Sequence, residues 1–398
     1  MSRRLFILTQ YFPPEMGAPQ TRLSELALGM QKRGWEVEVI TALPNYPHGR
    51  IFDPYRGKWK SVEKMGEIPV HRYWLYASNS PKAFPRILSM LSFSLTALCA
   101  LPNLWIKRPD YLLVESPPLT LGFAGWLLCL FSKPRLIFNV SDLWPLTAKQ
   151  LGAISDGWFY RFLERLEAFL YRHAFVCTGQ SAEIVEHMKE RGGKRVLLFR
   201  NGVDLARFPN LERNTCLSET PKLVYTGLLG VAQGIVKICQ NIDFKRLGVE
   251  FHIYGAGPER IKLESFLAQN PKRGIHYHGA VKSSEIPDLL MQHEAALISL
   301  TRHLQGAVPS KIYEAMAAGL PIFFSGAGEG AQIIEKHQIG WTNAPDNFGQ
   351  LASNIAHFNN GANERLLRSK KSRAAAQYFS RATQIELLDH FLAEHLSA

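Results

Sequence analysis

The run 295–300 and the run 322–324 are apolar and strand-like. What joins them ends in Pro309-Ser310-Lys311-Ile312-Tyr313-Glu314-Ala315-Met316-Ala317-Ala318-Gly319-Leu320-Pro321, which has room for one short helix. Ser310 stands where an N-cap belongs, Gly319 supplies a C-terminal stop, and Pro321 prevents continuation. A strand, a helix and a second strand in that order are the unit of a parallel sheet, because parallel neighbours need a crossover. Lys311 opens the helix, where free backbone N–H groups and the dipole favour an anion such as phosphate. Glu314, a turn further on, can accept two hydrogen bonds from a sugar diol. The same residues also read as a plain helix cap and a solvated carboxylate, and the physics of the stretch leaves both open.

The unit recurs along the chain. Residues 4–9 form a strand-like run, the loop 11–20 carries Gly17 and Pro19, and a helix with Leu23, Leu26, Ala27 and Met30 on one face ends at Gly34 before a strand at 36–41. This is a Rossmann-like βαβ unit, but no G-x-G-x-x-G is present, which argues against a dehydrogenase. Loops after such strands line ligand crevices. That places Asn45, Tyr46 and His48 beside such a crevice, with His48 either a base or simply exposed. The strand 135–140 ends in Ser141-Asp142-Leu143-Trp144-Pro145, so Asp142 either serves chemistry or caps the next helix.

Composition narrows the partners. Residues 1–203 hold 26 Lys and Arg against 16 Asp and Glu, and the remainder 20 against 18. One basic half points to an anionic surface. No nucleic-acid-binding pattern accompanies it, so an anionic membrane fits better than nucleic acid. The stretch 87–106 carries no charge and includes Ile87, Leu91, Leu95, Leu98 and Trp105, with Lys82, Arg86, Lys107 and Arg108 flanking it. We expect Pro102 to cut its helix to about four turns, giving a crossover helix whose outer face meets the headgroup layer. The helix 158–173 is amphipathic, with arginines among aromatics. Five scattered cysteines without a CxxC pair indicate neither a zinc site nor a disulfide framework. The N-terminal apolar run is too short for a signal peptide and reads as the first strand.

PSKxYExxAxGxP at 309–321 resembles the donor-site signature of retaining glycosyltransferases of family 4. The resemblance is closest to the bacterial surface-polysaccharide branch, which includes fucosamine and colanic-acid fucose transferases. It implies a GT-B fold: α/β, with two Rossmann-like domains whose parallel sheets face a central cleft. The expected domains are 1–203, 204–375 and a C-terminal helix at 376–398 crossing back onto the first, with a polar linker at 211–221. The resemblance assigns donor contacts to Gly17, Gly227, Gln233, Gly234, Gly255, Val281, Ser310, Lys311, Glu314, Gly328, Glu329, Gly330 and Ala331, catalytic places to Asp142, Lys311 and Glu329, and the acceptor side to Asn45, Tyr46 and His48. We expect the loop 325–331 to precede a helix at 332–336.

The sequence departs from the general pattern in three places. Leu228 and Gln233 stand where relatives outside this branch carry Arg and Lys, and Gly306 stands where they carry a first glutamate. Lys311, aided by Arg302 or Arg200, is then left to neutralise the diphosphate, and Glu329 to take over the missing glutamate's task. No DxD triplet is present, so no metal or cofactor is expected. The implied activity is transfer from a UDP-sugar, such as UDP-N-acetyl-fucosamine or another UDP-HexNAc, to a polyprenyl-diphosphate-linked saccharide for O-antigen or capsule. The implied place is the cytoplasmic face of a bacterial inner membrane. A nucleotide-sugar 2-epimerase of the same fold and a non-catalytic sugar-nucleotide or membrane-binding protein are the rival readings.

Overall fold

The computed structural model describes residues 3–80, 82–208 and 219–396, so most of the expected linker at 211–221 lies outside the described residues. The chain divides into two compact units, Met1–Arg200 with Ile385–Ala398, and Asn201–Gln384. Residues 201–203 go with the second unit because the Val203 amide donates to Phe379 and Val203 accepts from the Arg381 amide, at 3.0 and 2.8 Å.

In the first unit β1 (Arg3–Leu8), α1 (Ala18–Lys32) and β2 (Trp35–Ala42) form the expected βαβ start. The hairpin β3 (Lys60–Met65) and β4 (Ile68–Tyr73) follows, then α2 (Ala83–Ala97), α3 (Leu101–Lys107), β5 (Tyr111–Ser116) and α4 (Leu119–Ser132). The unit continues through β6 (Arg135–Val140), α5 (Leu146–Gln150), α6 (Trp158–His173), β7 (Val176–Gly179), α7 (Ala182–Glu190) and β8 (Val196–Leu198). The eight strands run in the order β3-β4-β2-β1-β5-β6-β7-β8, parallel except for β3. Successive side chains of a strand point to opposite faces. Accordingly Leu5 and Ile7 pack with Leu23, Leu26 and Met30 on one side, while Phe6 and Leu8 pack with Leu121, Leu128 and Phe138 on the other.

The α-helical part, α2, has 15 residues, about the expected four turns, but Pro102 does not end the helical stretch. It falls in the first turn of α3, where a missing N–H costs nothing, and a 3₁₀ turn joins α2 to α3. The helical stretch Phe84–Lys107 is 24 residues, long and apolar enough to cross a membrane. It is nonetheless two-faced: Phe93, Ala97, Ala100 and Leu104 are fully buried in the unit's core, whereas Ile87, Leu91, Leu95 and Trp105 are exposed. Leu98 turns inward and packs on that core.

The second unit contains β9 (Lys222–Thr226), α8 (Ile235–Asn241), β10 (Glu250–Tyr254), α9 (Arg260–Gln269), β11 (Ile275–Gly279), α10 (Ile286–Met291) and β12 (Ala295–Ser299). It continues with α11 (Lys311–Ala317), β13 (Ile322–Ser325), α12 (Glu329–His337), β14 (Gly340–Asn343), α13 (Phe348–Asn360) and α14 (Ala362–Tyr378). Its strands are all parallel, in the order β11-β10-β9-β12-β13-β14. Helix α15 (Arg381–Glu394) begins in this unit, and from Ile385 it packs Ile385, Leu388 and Leu392 on the first sheet. There Asp389 accepts from the Trp35 indole at 2.7 Å.

Candidate functional site

In each sheet one pair of neighbouring strands sends its connections to opposite faces, β1 with β5 in the first unit and β9 with β12 in the second. Ligands of open α/β sheets settle beside the carboxyl ends of the strands at such switch points. Gly17 follows β1 at the first of these places, and Gly227 and Lys311 lie at the second, whereas Asp142 follows β6 and Gly255, Val281 and Gly328 follow β10, β11 and β13.

In the second unit, Gly227 follows β9 and Lys311 opens the helix after β12. A methyl group on Gly227 would collide with Cε of Lys311 and stand 2.9 Å from Nζ, so the lysine stem lies directly across the glycine backbone. A side chain at 227 would push the lysine tip aside, and the φ of 149° there disfavours any residue but glycine. Gly255, at the end of β10, is fixed beside it: the Gly227 amide donates to the Tyr254 carbonyl at 2.8 Å, and the Gly255 amide to Gly279 at 2.7 Å. Lys311 and Glu314 line one small crevice with Thr226 and Ile298. Neither side chain has a hydrogen-bond or ion-pair partner among the described residues. Ser310 occupies the N-cap position, but its backbone is already helical and its hydroxyl makes no capping bond.

The remaining residues of that set surround this pair. Gly234 precedes α8 with a left-handed φ of 63°. Gln233 holds the same turn through its carbonyl, which accepts from the Ser299 hydroxyl, while its buried side-chain Oε1 has no partner among the described residues. Val281 is half-buried in the turn after β11. The helix expected at 332–336 begins earlier, at Glu329, so Gly328 is its N-cap and Glu329, Gly330 and Ala331 form its first turn. Gly330 packs on Phe324 and Ile312, which sets the start of α12 against α11. Glu329 is 4% exposed. Gly306 has φ of +83°, a conformation that disfavours any glutamate there.

In the first unit, Gly17 is the N-cap of α1 in extended backbone. Asn45 is buried, whereas Tyr46 and His48 are exposed. His48 borders an open groove of about 680 Å³ with Arg50, Phe52 and Arg56. Asp142 is no helix cap, since α5 begins at Leu146 and its cap position is Pro145. Its carboxylate instead accepts from the Thr147 hydroxyl at 2.6 Å. Burial pushes the Asp142 carboxyl above its ordinary value, against the Thr147 hydroxyl and Leu143 amide, which pull it down.

Two features of this edge escaped the sequence reading. Buried Glu15 accepts from the amides of Asn45 and Tyr46 at 2.7 and 2.8 Å and of Phe12 at 3.2 Å, which ties the Gly17 loop to the Asn45 loop. Its burial likewise raises its pKa. Arg22 of α1 and Glu115 of β5 form an ion pair buried on both sides, and Glu115 also accepts from Ser141 and Asn139. Asn139 in turn accepts from the Thr178 hydroxyl at 2.6 Å. This network fixes the backbone beside Asp142. A carboxylate ending the apolar strand 111–116 was the available signal, since a buried charge requires a partner.

Residues 17–202 match the Glycosyl transferase 4-like domain, and residues 220–360 match Glycosyl transferases group 1. The chain is 26% identical to WcaI of Escherichia coli K12, assigned as a colanic acid biosynthesis glycosyl transferase, over 77% of this chain and 79% of that one. Among solved structures it resembles sucrose-phosphate synthase from Thermosynechococcus elongatus, with a TM-score of 0.74, 14% identity and 99% of both chains covered. It also resembles Alr3699/HepE of Anabaena in complex with UDP and glucose, with a TM-score of 0.69, 14% identity, and 98% of this chain and 100% of that one covered. At such identities these structures speak to the fold.

Proposed function

The chain belongs to the glycosyltransferases that join a 4-like domain to a group 1 domain in a GT-B fold, and from that premise we propose a retaining transferase that moves a sugar from a UDP-sugar to a polyprenyl-diphosphate-linked saccharide of a surface polysaccharide. UDP-N-acetyl-fucosamine or another UDP-HexNAc is the favoured donor. The observation that carries this reading is the Lys311 ammonium laid across Gly227 at the β9–β12 switch point, with Glu314 beside it and neither side chain paired to any group among the described residues. The UDP and glucose bound by HepE, a protein of the same fold, support a nucleotide-sugar donor.

In this reading Lys311 and the first-turn amides of α12 meet the diphosphate, and Glu314 takes the ribose hydroxyls. Glu329 holds the donor sugar, and the glycine loops 227–234 and 255–257, with the turn at Val281, bring backbone against the nucleotide. The bond from the anomeric carbon to the diphosphate breaks while the acceptor oxygen bonds to that carbon on the same face. The acceptor proton passes to Asp142, and the electron pair of the broken bond stays on UDP. Lys311 and the amides are in place before charge develops, which is what lowers the barrier. The same arrangement serves without a metal, and turnover in EDTA is expected to match turnover without it.

The acceptor side rests on the groove beside His48, where Arg50 offers charge to a diphosphate and Arg56 is paired with Asp53 of the same groove at 2.9 Å. Exposed Ile87, Leu91, Leu95 and Trp105 of α2 and α3, and Trp158 and Phe162 of α6, supply an apolar surface near Lys107, Arg161 and Arg165. Such a surface suits a peripheral contact with the anionic cytoplasmic face of a bacterial inner membrane.

The test is transfer from labelled UDP-HexNAc to a polyprenyl-diphosphate saccharide in anionic vesicles, with and without the acceptor. Lipid-linked product that forms only when acceptor is present supports the reading. An epimerised UDP-sugar appearing without acceptor would replace it with the epimerase, and donor binding with no product in any arm would replace it with a binding protein.

A further inference from the structure

The second sheet carries a cluster that the transferase reading leaves unused. Glu250 and His252 alternate onto one face of β10, and His252 lies in direct register with His276 of β11, the edge strand. Glu250 Oε2 is 3.2 Å from His252 Nε2, and its Oε1 is 3.9 Å from His276 Nε2. One ligand atom from each of the three residues lies within 4.8 Å of the others. Ligand atoms bound at about 2.0–2.1 Å to a tetrahedral ion stand roughly 3.3–3.4 Å apart, so small rotations of the exposed His276 side chain close the set. The backbone imposes this arrangement, because neighbouring strands and alternate residues put the three side chains on one face.

A fourth residue stands behind His252. His252 Nδ1 and His278 Nε2 are 3.0 Å apart, and the two rings are nearly coplanar in orientation at 3°. A histidine that binds metal through Nε2 normally donates its other N–H to a fixed acceptor, which sets tautomer and ring angle. Without an ion, His252 Nε2–H donates to Glu250 at 3.2 Å; an ion that takes the place of that proton leaves Nδ1–H to donate to His278 Nε2 at 3.0 Å. Tyr254 stacks on His278 at 4.4 Å and holds that acceptor in place.

We propose that Glu250, His252 and His276 bind one divalent transition ion of the zinc class, with His278 orienting His252 and a fourth position open to water. The ion clips β11 to β10. Roughly 10 Å of strand separates His252 from Gly255, so the ion lies away from the residues of the transferase site and is no part of its chemistry. Its role is to stiffen the edge strand that leads to Gly279 and Val281. The proposal stands independently of the donor assignment.

The experiment is equilibrium dialysis of the full chain against zinc, followed by metal analysis and a thermal melt. We expect one zinc per chain at saturation and a raised melting temperature. His276→Ala and Glu250→Gln, both on accessible side chains, are expected to weaken binding at least tenfold, and His278→Ala roughly 10–100-fold as an orienting partner. Circular dichroism establishes that each variant is folded. Absence of saturable binding, or binding and stabilisation equal in wild type and His276→Ala, would overturn the proposal.

Discussion

The switch points of the two sheets handle charge in opposite ways. In the first unit, Glu115 and Arg22 neutralise each other, with Ser141 and Asn139 adding hydrogen bonds, and Glu15 is taken up by the backbone amides of Phe12, Asn45 and Tyr46. In the second, the Lys311 and Glu314 side chains have no partner among the described residues, and the lysine stem lies across Gly227. Where charges are satisfied internally, their work is to fix a loop. Where they are left over, the energy of pairing them remains available to a ligand. The comparison therefore separates residues whose loss should cost stability from those whose loss should cost turnover.

The largest expected effect is on the internally paired side. Glu115→Ala leaves the buried Arg22 guanidinium without its partner and should destabilise the protein by about 3–5 kcal/mol, read as a lower urea midpoint. Lys311→Ala should do the reverse. Its melting temperature is expected to stay within a degree or two of wild type, while turnover falls by about 10²–10³, or ~2.7–4 kcal/mol of barrier. Equal losses of stability in these two variants would erase the distinction.

Glu314→Ala should cost turnover about tenfold, close to 1.4 kcal/mol, with the fold again intact, as steady-state rates on UDP-sugar would register. The smallest effects concern Asp142. Burial raises its pKa, so on lowering pH it takes up a proton earlier than an ordinary aspartate, and a base that is protonated cannot accept the acceptor's proton. The acidic limb of the rate profile should therefore lie above the usual carboxylate range. Thr147→Val removes a hydroxyl that favours the ionised form and should move that limb to still higher pH with a modest drop in the plateau rate. A limb unmoved by Thr147→Val would assign it to another group.

Much of this architecture was legible in the sequence because parallel strands buried on both faces leave continuous apolar runs. The runs at 4–9, 135–140 and 295–300 all became strands, and the short helix before Gly319 formed as its stop signals require. The hairpin β3–β4 was not legible. Its strands alternate charged and apolar residues at the sheet edge, and Pro69 argues locally against a strand, although its place near the start of β4 makes it tolerable. Pro102 was read as a stop, and the continuation was missed because a proline in a helix's first turn opens that helix rather than ending the stretch. At the candidate site, Lys311 and Glu314 could be picked out by their place on a capped helix. The Arg22–Glu115 pair is separated by some ninety residues of chain, so no local spacing announces it.

Calorimetric titration with UDP addresses the central claim most directly, because it needs neither the sugar nor the acceptor to be known. The account predicts saturable one-to-one binding to the wild-type chain, weakened at least tenfold by Lys311→Ala with an unchanged melting temperature. Equal affinity for UDP in both proteins would contradict it.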